Sequence, residues 1–180
     1  MEQRSRRKFI NQESKGNPKE QLGSSNLKES FTHAIDGIIF SIIQERNLRI
    51  HFLIGFFVLL LSIFLPIDKN DFIWLFFSVF FVILSELINT LIENLLDFFI
   101  YEYHPVVKII KDISSGIVLW SSLFSVVVGI AIFGHYLFSW NVTYAKFIGV
   151  IVLSFFPLIT IFLGYKRWKK LLENNNKNNK

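Results

Sequence analysis

The stretch SELINTLIENLLD, residues 85–97, lies in a run with the apolarity of a membrane span, yet it carries a stripe of Glu86, Asn89, Glu93 and Asp97. At about 100° per residue, these positions fall within an arc of about 80° on one face of a helix. A carboxylate in hydrocarbon is costly unless it is paired, bound to metal or facing a polar cavity. The stripe therefore predicts a lined site on a membrane helix. The alternative, a polar seam that only joins packed helices, is more typical of a single Asn.

Long apolar blocks dominate the rest of the chain. Of its 180 residues, 52% are hydrophobic, and the absence of Cys excludes disulfides and thiolate metal sites. Four blocks can cross a bilayer, at residues 50–65, 72–100, 113–133 and 147–165, with loops at 66–71, 101–111 and 134–145. Residues 29–43 precede them with apolar positions at helical spacing and a cap at Glu29 or Ser30, but they are too short and too polar to span. The sequence predicts an all-α integral membrane protein that begins with an amphipathic surface helix.

Basic residues concentrate at the two ends of the chain and predict its topology. Residues 1–28 hold seven Lys or Arg and three Glu, and residues 166–170 are KRWKK. Because cytoplasmic segments carry an excess of Lys and Arg, both termini are expected in the cytoplasm. The basic tail lacks interleaved aromatic residues, so no nucleic-acid partner is expected. The predicted layout is a disordered basic cytoplasmic tail at 1–28, a membrane domain at 29–133, and an external loop and further span at 134–165. A basic, Asn-rich cytoplasmic tail follows at 166–180, and its stretch ENNNKNN after KRWKK is expected to be disordered.

This topology puts the acidic stripe at the cytoplasmic end of the second span, where ATP and Mg²⁺ are available. Acids without a His or Cys cluster favour a hard cation such as Mg²⁺, and an acid free of the metal can act as a general base. Phosphoryl transfer requires little beyond such groups held in position. Neither GxxxxGK[ST] nor GxGxxG occurs, which excludes the P-loop and protein-kinase designs. A cation channel is disfavoured because Ser78 is the one polar residue that continues the path through residues 72–84.

Three stretches, ERNLRIH, ELINTLIENLLD and EYHPVVKIIKD, resemble the prokaryotic diacylglycerol kinase family of small integral membrane lipid kinases, which includes undecaprenol kinases. The resemblance covers about residues 30–133. It implies a homotrimer in the bacterial inner (plasma) membrane that transfers the γ-phosphate of MgATP to the hydroxyl of a membrane lipid. The expected reaction converts diacylglycerol to phosphatidic acid, a step of phospholipid synthesis. Undecaprenol is the alternative substrate, and a non-catalytic scaffold is disfavoured because every expected acid is present.

The resemblance also implies roles for individual residues. Glu86 is expected to be the general base and to bind the lipid substrate. Glu45 and Glu93 are expected to bind Mg²⁺ and to meet the nucleotide, and Asn89 and Asp97 to orient these groups. The residues expected to contact ATP are Glu102, Tyr103, His104, Lys111 and Asp112.

Three further positions complete the comparison with the family. Ser115 is expected to touch the lipid substrate. His33 and Asp36 in the surface helix stand where related proteins tend to be aromatic or basic. Family members usually have three spans, so the fourth span and its basic end are an addition.

Overall fold

Helices make up almost all of the described part of the chain. The structure, a computed structural model, describes residues 26–100 and 102–178, apart from the side chains at 142, 153, 168 and 170–178. Its five helices are α1 (Leu27–Gln44), α2 (Arg46–Ile63), α3 (Lys69–Phe99), α4 (Pro105–Phe138) and α5 (Val142–Asn178). No strand occurs within these described ranges, and the all-α prediction is confirmed. Most of the predicted tail at 1–28 lies outside the described residues.

The burial pattern is that of a protein surrounded by lipid. Helices α2 to α5 are each long and apolar enough to cross a membrane, judged by length and composition. Among the residues whose side chains the structure describes, large apolar side chains are mostly exposed, whereas the buried positions include eight polar residues and five apolar core residues. Five of the eight are serines, whose small side chains let membrane helices approach closely. The prediction of an integral membrane protein is therefore confirmed.

Helix α1 belongs to a compact unit of its own, which ends at Gln44. Asn26 starts the helix, because its Oδ1 accepts a hydrogen bond from the backbone N–H of Glu29 at 3.0 Å. The cap predicted at Glu29 or Ser30 is therefore wrong, and the helix begins earlier than expected. No residue of α1 is buried, as expected of a surface helix.

Several boundaries differ from the predicted ones. Helix α2 begins at Arg46 rather than at residue 50, with Glu45 as an extended N-cap residue. Helix α4 begins at Pro105, which was placed in a loop. Proline suits the first turn of a helix, since its missing N–H would have no intrahelical partner there. Helix α5 continues through most of the segment 166–180, so the prediction of a disordered tail is wrong as far as the chain is described.

Helix α3 is central among the spanning helices. It packs against α2 and α4, and α5 packs against α4. Gly55 permits close approach of α2, because a Cβ at this position would lie 2.5 Å from Cγ1 of Val79 on α3. The rings of Trp120 and Phe156, 5.2 Å apart, join α4 to α5. The acidic stripe on α3 therefore has helices on two sides that can supply polar partners.

The N-terminal end of α3 is tied to the C-terminal end of α4. Asp68 caps α3 by accepting hydrogen bonds from the N–H groups of Asn70 and Asp71 at 2.8 and 2.9 Å. The Tyr136 hydroxyl donates to Asp71 Oδ2 at 3.1 Å and accepts from the Asp68 N–H at 3.0 Å. These bonds fix the register of the two helices at the end remote from the stripe.

Candidate active site

The acidic stripe of α3, which consists of Glu86, Asn89, Glu93 and Asp97, extends from buried positions to exposed ones. Glu86 is 2% exposed and Asn89 is 9% exposed. Glu93 is partly exposed, and Asp97 is exposed. A buried charge needs partners, because an unpaired one loses its hydration without compensation. The inner end of the stripe thus depends on groups from neighbouring helices.

Helix α2 supplies the groups around Glu86. The Asn47 side chain, in the first turn of α2, makes a hydrogen bond with the Glu86 carboxylate. Glu45 and Glu93 both interact electrostatically with that carboxylate. The Glu45 side chain makes no capping hydrogen bond, so capping does not account for an acid at this position. The Glu86 carboxylate is thus repelled by Glu45 at the start of α2 and by Glu93 on α3, and a divalent cation is one means of stabilising such a set of acids.

Helix α4 supplies partners to the rest of the stripe. Ser114 Oγ donates a hydrogen bond to Asn89 Oδ1 at 2.6 Å, and Asn89 Nδ2 donates to Glu93 Oε1 at 3.2 Å. Farther out, Lys111 Nζ forms an ion pair with Asp97 Oδ1 at 2.5 Å. The stripe therefore contacts α4 through a neutral hydrogen bond at Asn89, which is buried, and through an ion pair at Asp97, which is exposed.

The remaining residues assigned to the nucleotide lie on the surface. Glu102, Tyr103, His104 and Asp112 are all exposed, and Tyr103 is 80% exposed. His104 caps α4, because its Nδ1 accepts a hydrogen bond from the N–H two residues later at 3.3 Å. Ser115 is also exposed, and its Oγ donates to a carbonyl one turn earlier at 3.0 Å. These residues are thus exposed to solvent or lipid, whereas Glu86 and Asn89 of the stripe are buried.

The arrangement of Glu45 and Glu93 suits a Mg²⁺ ion that is shared with a nucleotide better than a metal ion that is bound by protein side chains alone. Among the residues that the structure describes, no three His, Asp or Glu side chains are close enough to hold a metal ion. Mg²⁺ usually takes one or two carboxylates and completes its shell with water and phosphate oxygens. Glu45 and Glu93, which both interact electrostatically with Glu86, are the candidate carboxylates for such a site.

Two residues of this site escaped the sequence analysis. Asn47 lies inside the ERNLRIH stretch, but no spacing rule connects it to Glu86 on another helix. Ser114 follows Lys111 by three residues and so lies near the same face of α4. That spacing groups Ser114 with Lys111 on α4 but does not place it against Asn89 on α3.

The fold and the site define a multi-spanning helical membrane protein with a cluster of acids on its central helix. The sequence model of the prokaryotic diacylglycerol kinase family matches residues 32–133, more than half of the chain. The chain belongs to this family, and the predicted resemblance is confirmed. Helix α5 lies beyond the matched segment.

Individual relatives agree with this assignment. A diacylglycerol kinase of Synechocystis sp. is 32% identical over 105 residues, which are 58% of this chain and 60% of the relative. The diacylglycerol kinases of two Helicobacter pylori strains are each 28% identical over 109 residues, 58% of this chain and 85% of the relative. The chain thus spans less than two thirds of the Synechocystis relative.

Proposed function

We propose that the chain is a lipid kinase that transfers the γ-phosphate of MgATP to the hydroxyl group of diacylglycerol. The observation that carries this proposal is the cluster of Glu45, Glu86 and Glu93 between α2 and α3, in a chain of the prokaryotic diacylglycerol kinase family. The names of the relatives support diacylglycerol as the lipid. Undecaprenol presents the same chemical group and is the alternative acceptor.

In this proposal Glu86 is the general base. The lipid hydroxyl oxygen attacks the γ-phosphorus, the bond to the β–γ bridging oxygen breaks, and ADP leaves. The hydroxyl proton passes to the Glu86 carboxylate. Because Glu86 is buried and hydrogen-bonded to Asn47, we expect the hydroxyl to replace that hydrogen bond. Burial among helices also keeps water, a competing acceptor, away from the phosphoryl group.

Glu45 and Glu93 are the proposed Mg²⁺ ligands. These two carboxylates would hold Mg²⁺, which would supply positive charge to offset the negative charge of the phosphates. Asn89 holds Glu93 in position through its amide N–H. The proposed nucleotide contacts are Glu102, Tyr103, His104, Lys111 and Asp112, and Ser115 is proposed to contact the lipid.

Topology and assembly are part of the same proposal. Four crossings return the chain to its starting side, and the basic ends favour the cytoplasmic side of the bacterial plasma membrane. The homotrimer implied by the family resemblance belongs to this proposal, with a neighbouring copy covering the exposed edge that holds Glu102, Tyr103 and Asp112.

Glu86→Gln tests the proposed base, because it keeps the size of the side chain and removes its ability to accept a proton. Turnover should fall by about 10²-fold or more, the usual contribution of a general base. Binding of a fluorescent ATP analogue should stay near the wild-type value. Turnover at the wild-type rate in a variant that binds the analogue normally would refute the role of Glu86.

A further inference from the structure

Ser114 on α4 is buried opposite the stripe. Its side chain is 3% exposed, and its Oγ lies 2.6 Å from Asn89 Oδ1. We propose that Ser114 is a positioning residue whose hydroxyl proton fixes the orientation of the Asn89 amide and, through it, the carboxylate of Glu93. The inference rests on the proposed function, in which Glu93 binds Mg²⁺.

The Asn89 amide has two orientations that exchange its oxygen and nitrogen atoms. The atom of the Asn89 amide that faces Glu93 lies 3.2 Å from Glu93 Oε1. An ionised carboxylate only accepts hydrogen bonds. In the reversed orientation the amide oxygen would face the carboxylate oxygen, and the two would repel. Glu93 therefore selects the orientation with Nδ2 toward itself, which leaves Oδ1 toward Ser114.

The amide oxygen in turn requires a donor, because Asn89 is buried. The Ser114 hydroxyl has one proton and two acceptors within reach, Asn89 Oδ1 at 2.6 Å and the Lys111 carbonyl oxygen at 3.0 Å. The Lys111 carbonyl lies inside α4, where the backbone N–H four residues later is its normal partner. The Ser114 hydroxyl proton is therefore expected in the hydrogen bond to Asn89 Oδ1.

The hydrogen bonds thus run in one direction, from Ser114 to Asn89 and from Asn89 to Glu93. Without the hydroxyl proton, the Asn89 amide keeps only its bond to Glu93, so both the amide and the Glu93 carboxylate are held less firmly. Residues that orient metal ligands typically change metal affinity by about 10–100-fold when they are replaced. We expect a loss of this size at Ser114.

Ser121 provides a matched control on the same helix. It is 1% exposed, and its Oγ donates to the carbonyl of Val118 at 2.9 Å, three residues earlier. Ser114 makes the same kind of bond to Lys111, but only Ser114 also contacts the stripe. Ser121→Ala therefore removes a buried hydroxyl from α4 without disturbing Asn89.

Metal binding, measured separately from activity, tests the proposal. Mn²⁺ is titrated onto the purified full chain in detergent with a non-hydrolysable ATP analogue, and free Mn²⁺ is followed by electron paramagnetic resonance. Ser114→Ala should raise the Kd for Mn²⁺ by about 10–100-fold. Ser114→Thr, which keeps the hydroxyl proton, and Ser121→Ala should stay near wild type. Thermal unfolding by circular dichroism should show similar changes for the two alanine variants.

Two outcomes would overturn the role of Ser114: wild-type Mn²⁺ binding in Ser114→Ala, or an equal loss in Ser121→Ala. If Ser114→Ala does not fold, Ser114→Cys keeps most of the volume with a weaker donor and should still weaken Mn²⁺ binding. Wild-type binding in a folded Ser114→Cys variant would likewise count against the proposal. Failure of the unsubstituted chain to bind Mn²⁺ with the analogue would instead reject the proposed function.

Discussion

The close approach of α2 to α3 at Gly55 gives a sharp prediction about how packing supports the site. In Gly55→Ala, the new methyl group would lie 2.5 Å from Cγ1 of Val79, whereas ordinary contacts begin at 3.4 Å. Val79 is β-branched and has essentially one side-chain rotamer in a helix, so it cannot turn away. We expect the two helices to separate by about 1 Å, the shortfall in this contact.

The expected effect on activity exceeds the effect on stability. Overpacking costs about 1–3 kcal/mol, and the better helix propensity of Ala offsets about 1 kcal/mol of it. The net destabilisation is therefore about 0–2 kcal/mol. The same displacement moves Glu45 and Asn47 on α2 away from Glu86, and a misplacement of about 1 Å can lower a rate by about 10²-fold.

Purified variants in mixed micelles would be compared by turnover with radiolabelled ATP and by thermal unfolding. Gly129→Ala on α4 is the matched control, because a Cβ there meets nothing within 4 Å, and it should retain wild-type activity. Adding Val79→Ala to Gly55→Ala removes the clashing methyl group and should restore part of the turnover. Wild-type turnover in Gly55→Ala, or no recovery in the double variant, would refute this reasoning.

Three further substitutions test separate parts of the account. Glu45→Ala should raise the Mg²⁺ concentration for half-maximal activity, and an unchanged titration would remove it as a ligand. Tyr136→Phe should lower the Tm by releasing the first turn of α3, with KM for ATP unchanged; an unaltered Tm would contradict this. Lys111→Met should raise KM for ATP with little change in Tm, since its partly exposed pair with Asp97 contributes about 0–1 kcal/mol. An unaltered KM would contradict its nucleotide role.

Residues that share one helix were placed correctly from the sequence, because the period of a helix fixes which positions share a face. Glu86 and Glu93 follow this rule, and the structure adds their graded burial along α3. The predicted loop at 101–111 is wrong from Pro105 onward, because proline, which breaks the interior of a helix, suits its first turn.

Contacts between helices were beyond sequence reasoning. The bond from Ser114 to Asn89 depends on the register of α4 against α3, which no spacing within either helix encodes. The same holds for Asn47 and Glu86, whose helices meet closely because Gly55 has no side chain. Glu45 was grouped with the stripe only through resemblance to a family, since an acid at the start of α2 has no local signal that links it to α3.

The proposed lipid kinase activity is tested most directly with the purified chain in mixed micelles that contain either diacylglycerol or undecaprenol. Mg²⁺ and ATP labelled at the γ-phosphate are added, and label in the lipid is measured. We expect label in diacylglycerol as phosphatidic acid, little label in undecaprenol, and almost none with Glu86→Gln. Label mainly in undecaprenol would keep the kinase and change its substrate. No label in either lipid from a folded protein, or equal label with Glu86→Gln, would contradict the account.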